Sequence, residues 1–275
     1  MLRKQSYTLL LALAGFIFSH TVFAQIPEGF VCGKPIPYGH SHNDYTRKRP
    51  LWDALENGFT SIEVDVFLAS DGSLRVSHIP FALKLKPTLD ELYLKPIKFW
   101  IDNNGGKVFS DTDLVFTLMI DVKSNAAKTY PVIKESVRPY LNYLCTWKNG
   151  KFNPGPLRIM FSGSRPEREV EQETEQWFCF DGFIGADYTG RNIVVARKSS
   201  AFGSFFKKNP SGKLSNEEFE QMKKLAAGVS AEGKEIRFWA SGNNKHRWKS
   251  MINAGVTVIN VDKLEKFRVF LQTGQ

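Results

Sequence analysis

Four short stretches of this chain hold residue types that can do chemistry together. The first is Gly-His-Ser-His-Asn-Asp-Tyr, residues 39–45. Histidine is scarce, with 5 in the whole chain, and His40, His42 and His78 are three of them. A single histidine in a polar loop is usually a structural one whose hydrogen bonds are met. A pair beside Asn43 and Asp44 at a strand end reads as a site. The second stretch is Ser-Ile-Glu-Val-Asp-Val-Phe, residues 61–67. Glu63 and Asp65 are two apart on a strand pattern and share one face, while Ile62, Val64 and Val66 take the other. A solvent-facing acidic edge would also carry two carboxylates, but the apolar alternation argues against it. Buried side by side, they need a cation or strong hydrogen bonds.

The third stretch runs from the Asp71-Gly72 turn to His78 and returns a histidine to the carboxylate strand. The fourth is Leu-Met-Ile-Asp-Val-Lys, residues 118–123. It ends a continuous apolar run on Asp121, a third candidate ligand, with Lys123 on the same face to meet a phosphate oxygen. An all-oxygen carboxylate set suits one hard divalent cation, Mg²⁺ or Ca²⁺. A phosphodiester is anionic and repels nucleophiles, and a divalent ion lowers that barrier. One histidine can take a proton from the attacking hydroxyl and another can protonate the leaving oxygen.

Elements must deliver these groups. Strand-like runs fall at residues 36–40, 61–67, 74–78, 114–121, 157–161, 182–186, 236–240 and 256–261. The run at 114–121 is apolar throughout, as for a strand buried on both faces. Helical patterns fall at 50–57, 88–94, 167–177, 215–230, 245–254 and 262–273. Thr88 with Glu91 has capping-box spacing, and Gly58 and Gly255 are stop signals. Alternating strands and helices predict a parallel α/β sheet, and this number of strands predicts a closed (β/α)₈ TIM-type barrel with its site at the strands' C-terminal ends. Residues 95–112 and 191–214 read as irregular loops at that face.

The 275 residues, 42% of them hydrophobic, suffice for one such core over residues 25–275. Residues 1–24 read as a secretory signal peptide: Arg3 and Lys4, an apolar run from Leu9 to Phe18, then Val22 and Ala24 before Gln25. The run is short for a membrane span. An exported protein, periplasmic or secreted, is expected. The formal charge is +9, and removing Arg3 and Lys4 leaves +7. That suits anionic partners such as phosphate esters or a membrane surface; a solvated basic surface reads equally well. No basic block interleaved with aromatics occurs, so nucleic acid is not expected. Cys32, Cys145 and Cys179 lie too far apart for a zinc pattern. They allow one disulfide or three buried thiols.

The ordered set G-H-S-H-N-D, E-V-D-V, V-S-H and I-D-V-K resembles the superfamily of glycerophosphodiester phosphodiesterases and phosphatidylinositol-specific phospholipases C. R-P-L-W-D-A-L-E-N-G, T-L-D-E-L-Y-L-K-P, I-R-F-W-A and A-G-V-T-V-I-N-V-D are similar to its branch of altered-inheritance-of-mitochondria-6-like proteins. The resemblance implies a barrel with one divalent ion on Glu63, Asp65 and Asp121. It implies His40 and His78 as the catalytic pair, with Asn43 as a further ligand. Lys123 accompanies Asp121, and that pair, with Trp239, also resembles the spider-venom sphingomyelinase D branch. Ser41 and His42 stand where glycerophosphodiesterases carry Arg-Gly, and their P-E-N-T stretch is absent. Arg47 or Arg49 is then the candidate for the missing phosphate contact, and His42 the rival of His40.

The function expected is a metal-dependent phosphodiesterase acting on a glycerophosphodiester or phospholipid head group, as hydrolase or cyclising lyase. A catalytically inactive binder of phospholipid or sugar phosphate on the same barrel is the alternative, and a metal-dependent nuclease ranks below both. Trp239, at the end of Ile-Arg-Phe-Trp, is expected at the substrate mouth or, equally simply, in the core.

Overall fold

The alternation of Ser61–Leu68 (β2) and the apolar run of Phe116–Val122 (β3) become neighbouring parallel strands, in register Glu63 to Met119 and Asp65 to Asp121. The computed structural model describes residues 25–207 and 209–274. The signal peptide expected over residues 1–24 lies outside them. Around β2 and β3 stand Gly39–Ser41 (β1), Leu157–Gly163 (β4), Phe178–Phe183 (β5), Val195–Ala201 (β6), Glu235–Trp239 (β7) and Val258–Val261 (β8). All neighbours are parallel, and β1 pairs with both β2 and β8, which closes an eight-stranded barrel. Leu74–Val76 returns antiparallel along β2 as a hairpin outside the ring.

Helices Trp52–Glu56 (α1), Lys95–Asn103 (α2), Ala126–Val137 (α3), Glu167–Glu171 (α4), Asn216–Ala231 (α5), Lys245–Asn253 (α6) and Leu264–Thr273 (α7) fill the crossovers. None is assigned between β5 and β6. Outward residues such as Ile62, Val64, Leu118 and Ile120 join the large core between sheet and helices. A small separate cluster of Met119, Met160 and Cys179 lies on the opposite strand face. The rest of that inner face is polar: His40, Ser61, Glu63, Asp65, Asp181, Arg197 and Arg237 are all buried.

Several expected elements moved. The first strand is confined to Gly39–Ser41, because Tyr38 takes φ 67° and breaks the extended run. The strand expected at 182–186 is instead Phe178–Phe183, and Gly185, at φ 86°, belongs to the following turn. The 167–177 helix stops at Glu171 because Glu175–Gln176 pairs with the hairpin Thr146–Lys148 and Lys151–Asn153. The segment 74–78 is not a barrel strand; β6, inside the supposed loop 191–214, is the missing one. Val-Ala-Arg-Lys-Ser-Ser-Ala hides a strand because its buried charges are paired: Arg197 with Glu235 at 2.7 Å and Lys198 with Glu232 at 2.8 Å. Residues 95–112 hold α2, which buries Ile97 and Ile101. The helix α3 contains Pro131, which masks its pattern. Thr88 and Glu91 do exchange capping-box bonds, but they start a π-helical turn, Asp90–Leu94, that runs on into α2. All three cysteines are free thiols, Cys145 and Cys179 buried. No helix of the described residues is long and apolar enough to cross a membrane.

Candidate metal and acid–base site

Glu63, Asp65 and Asp121 each offer an oxygen within 4.8 Å of the others, where the middle of β2 runs beside the C-terminal end of β3. The strand register explains this. Asp65 and Asp121 are direct cross-strand partners, and Glu63 lies one inward position below Asp65. Like charges this close resist ionisation. Burial raises the pKa of Asp121, Lys123 opposes that, and Glu63 and Asp65 raise it further. Lys123 Nζ sits 3.0 Å from Asp121 and 3.4 Å from Asp65. Burial acts to lower its pKa, but the carboxylates win and raise it. Asp65 Oδ1 and Asp121 Oδ1 are buried with no hydrogen-bond partner. Such orphaned acceptors in an all-oxygen set fit a hard divalent cation. Gly163, at φ 66°, lets the Asp121 carboxylate lie against it; a Cβ there would collide with Asp121 Oδ1.

The two expected catalytic histidines sit very differently. His78 is 65% exposed in its side chain and sets Nδ1 2.9 Å from Asp65 Oδ2. The Tyr45 hydroxyl donates to the same oxygen at 2.9 Å and lies 3.3 Å from His78 Nδ1. Burial and the Asp65 charge raise the Tyr45 pKa, which keeps that hydroxyl a donor. His40 is 0% exposed and lies below the cluster. Its Nδ1 meets Ser61 Oγ at 2.7 Å, and its Nε2 lies 3.1 Å from Glu63 and 3.2 Å from Arg237. Burial, opposed by the Glu63 bond and helped by Arg237 and Arg197, lowers its pKa to about 3. Burial thus favours the neutral ring, and both nitrogens of His40, expected as one of the catalytic pair, are engaged inside the barrel. Burial raises the pKa of Glu63, but His40 and Arg237 outweigh it and hold this group ionised.

His42 has the exposure His40 lacks. It follows β1 at the mouth, 33% exposed in its side chain, with Nδ1 2.8 Å from Asp262 Oδ1. Burial acts to lower its pKa, but the Asp262 bond and the Glu63 charge raise it overall. Asp262 follows β8 and is held by Asn243, whose side chain donates to Asp262 Oδ2 at 2.5 Å and accepts from the Asp262 N–H at 2.8 Å. Arg47, expected at phosphate, instead donates to the backbone carbonyls of Asp262 at 2.6 Å and His42 at 2.7 Å. It fastens the histidine loop to the end of β8. Arg49 is likewise committed, to Asp53 at 2.8 Å and to Glu56. Asn43, expected as a ligand, takes a left-handed conformation at φ 47°, and among the described residues its side chain makes no hydrogen bond. Trp239 ends β7 and is 44% exposed at the mouth, which sets the core reading aside.

Sequence reasoning missed Asp262, although it ends the apolar Val-Ile-Asn-Val run just as Asp121 ends its own. It also missed Arg237 and Asp181, which form a 2.5 Å ion pair inside the ring. The alternation of Arg237 with Ile236 and Phe238 was the available signal. Tyr45 and Asn243 carried none.

Residues 33–181 match the model of the AIM6-like phosphodiesterase domain. The Altered inheritance of mitochondria protein 6 homolog of Arthroderma benhamiae is 28% identical, over 83% of this chain and 81% of that protein. The Altered inheritance of mitochondria protein 6 of Eremothecium gossypii is 26% identical, over 84% of this chain and 68% of that protein. Among solved structures, a glycerophosphodiester phosphodiesterase from Parabacteroides distasonis superposes with TM-score 0.57 at 15% identity, covering 88% of this chain and 100% of that one. A phosphodiesterase from Oleispira antarctica, in complex with the product sn-glycerol-3-phosphate, superposes with TM-score 0.50 at 14% identity, covering 86% and 98%. These likenesses are of fold. The matched segment holds the three carboxylates, His42, Lys123 and His78, and the chain belongs to the AIM6-like phosphodiesterase domain family.

Proposed function

We propose that this protein is an exported, metal-dependent phosphodiesterase that cleaves a glycerophosphodiester or phospholipid-type phosphodiester with His42 and His78 as its acid–base pair. The observation that carries the reading is the convergence of Glu63, Asp65 and Asp121, with His78 bonded through Nδ1 to Asp65 and His42 through Nδ1 to Asp262, so that neither Nε2 has a hydrogen-bond partner among the described residues. A divalent cation bound by those carboxylates would neutralise the phosphoryl oxygens and lower the barrier to attack. Asp262 holds His42 Nδ1–H, which fixes the tautomer that leaves Nε2 as a proton acceptor. His42 takes the proton of the attacking hydroxyl, and Asp262 stabilises the imidazolium that results. His78, oriented through Nδ1 by Asp65, gives its Nε2 proton to the leaving oxygen. Lys123 binds a non-bridging oxygen, and Trp239 lines the mouth. His40 is a positioning residue that fixes Glu63 from below.

Attack by water makes the enzyme a hydrolase; attack by a substrate hydroxyl makes it a lyase that gives a cyclic phosphate. The test is a panel of phosphodiesters incubated with Mg²⁺, Ca²⁺ or EDTA and followed by phosphorus NMR. Turnover with a divalent ion and none with EDTA is expected. No product from any diester, with binding retained, would turn the reading to a catalytically inactive binder. The mass of the protein recovered from the producing cell checks export: loss of residues 1–24 is expected. Trp239→Ala should raise KM while leaving the folding transition nearly in place; a loss of about 3–5 kcal/mol of stability would mark a core side chain instead.

A further inference from the structure

The connection after His78 exposes its apolar residues. Ile79, Phe81 and Leu85 are 55%, 73% and 86% exposed, three large apolar side chains within one short loop. The loop is nonetheless built. Ser77 Oγ donates to the Ile79 carbonyl at 2.8 Å, and Arg75 donates to the Lys86 carbonyl at 2.8 Å. Between these anchors Leu83–Leu85 forms a 3₁₀ turn, entered through Ala82 at φ 50°. A non-glycine residue in that region costs free energy, and Phe81 and Leu85 on either side of it are exposed. The loop starts at the site, because His78 is bonded to Asp65. Phe183 and Trp239, 54% and 44% exposed, end β5 and β7 on the same C-terminal face of the barrel.

Within the loop itself the charge has one sign, with Asp71 and Glu91 held by Arg75 and Thr88 at its base. His78 to Leu89 contains no acidic residue, and Lys84 and Lys86 alternate with the apolar ones. Lys48, in the loop after β1, is exposed on that face too. None of the three lysines has an ion-pair partner among the described residues. A protein partner fits poorly, since a stable interface needs roughly 800 Å² from each side and one loop tip supplies far less. Apolar side chains that insert while flanking lysines stay at the head-group level suit a bilayer with anionic lipid.

We infer that the loop Ile79–Lys86 docks the barrel mouth on an anionic phospholipid surface, with Phe81 and Leu85 inserted and Lys84 and Lys86 at the phosphates. This rests on the reading of the mouth as a phosphodiester site, for which it names the partner: lipid held in a membrane rather than a free soluble ester. Docked this way, the Asp65–His78 side of the mouth faces the head groups.

The experiment is co-sedimentation of the mature protein with vesicles of phosphatidylcholine alone and of phosphatidylcholine with a minority of phosphatidylglycerol. Binding is expected to the second. Phe81→Ser and Leu85→Ser should each weaken it at least about tenfold, and Lys84→Ser with Lys86→Ser roughly 30-fold, with less effect as salt rises. All four side chains are exposed, so the melting temperature should not move, and turnover of a soluble phosphodiester should match the wild type. Wild-type protein that ignores phosphatidylglycerol vesicles overturns the inference, as do loop variants that bind like the wild type. A concentration-dependent dimer in sedimentation velocity, lost in Phe81→Ser, overturns it in favour of a second copy. If the soluble ester is not turned over while vesicle binding depends on the loop, the phosphodiesterase reading fails and the docking surface stands.

Discussion

Replacing His42 separates two mechanisms that differ only by two positions along the chain. Positioned proton transfer is worth about 10²–10⁴-fold in rate, so His42→Ala should lower kcat by that factor, roughly 3–5 kcal/mol of barrel-held transition-state stabilisation. His40 is 0% exposed with both ring nitrogens engaged, so it reaches no substrate oxygen. His40→Gln should instead cost about 1–3 kcal/mol of folding stability, from partners left unpaired, and less than about tenfold in kcat at saturating metal. Asp262→Asn adds a readout that a purely structural role would not move. The Asp262 bond raises the His42 pKa, so its loss lowers that pKa, and the acidic limb of the pH–rate profile shifts to lower pH. The Asp262 side chain is 47% exposed, and water screens the bond; the shift should stay under about one unit. The assay is steady-state hydrolysis of a soluble aryl phosphodiester with saturating Mg²⁺, each variant checked by its melting temperature. A His42→Ala enzyme with full kcat, beside a folded His40→Gln enzyme that loses about a hundredfold, would refute the argument from burial.

Three other outcomes are expected. Glu63→Gln should weaken Mg²⁺ and Ca²⁺ binding in calorimetry and abolish turnover with it; unchanged affinity removes Glu63 from the ligand set. Gly163→Ala should lower both stability and metal affinity, because a Cβ there meets Asp121 Oδ1 and the backbone sits at φ 66°; full metal affinity would show that Asp121 can step aside. His40, neutral when folded, has its pKa lowered to about 3, below its unfolded value. Its contribution to stability is complete above about pH 6.5 and is lost as pH falls toward 3, at up to about 1.4 kcal/mol per pH unit. Urea unfolding at pH 7 and pH 5 with EDTA should therefore show an acid loss that His40→Gln flattens; equal slopes in both proteins would mean His40 is not held neutral.

Much of this architecture is written locally. A carboxylate alternating with Ile62, Val64 and Val66 can only face inward, so Glu63 and Asp65 were legible as a pair. The apolar run ending at Asp121 forced a buried strand with a polar terminus. What alternation does not give is height in the barrel. His40 lies within β1 and His42 just past its end, and only the register, with His40 beside Ser61, puts the first beneath Glu63 and the second at the rim. The strand β6 was illegible because Arg197 and Lys198 look like surface residues until Glu235 and Glu232 are brought to them. Arg47 read as a free phosphate ligand because nothing local predicts that the Asp262 carbonyl, 215 residues away in sequence, would claim it. Sequence thus determined which residues of the carboxylate strands share a face, since that follows from a two-residue period. The tertiary structure alone decided which inward residues meet, because closing the ring of strands sets their relative heights through contacts hundreds of residues apart.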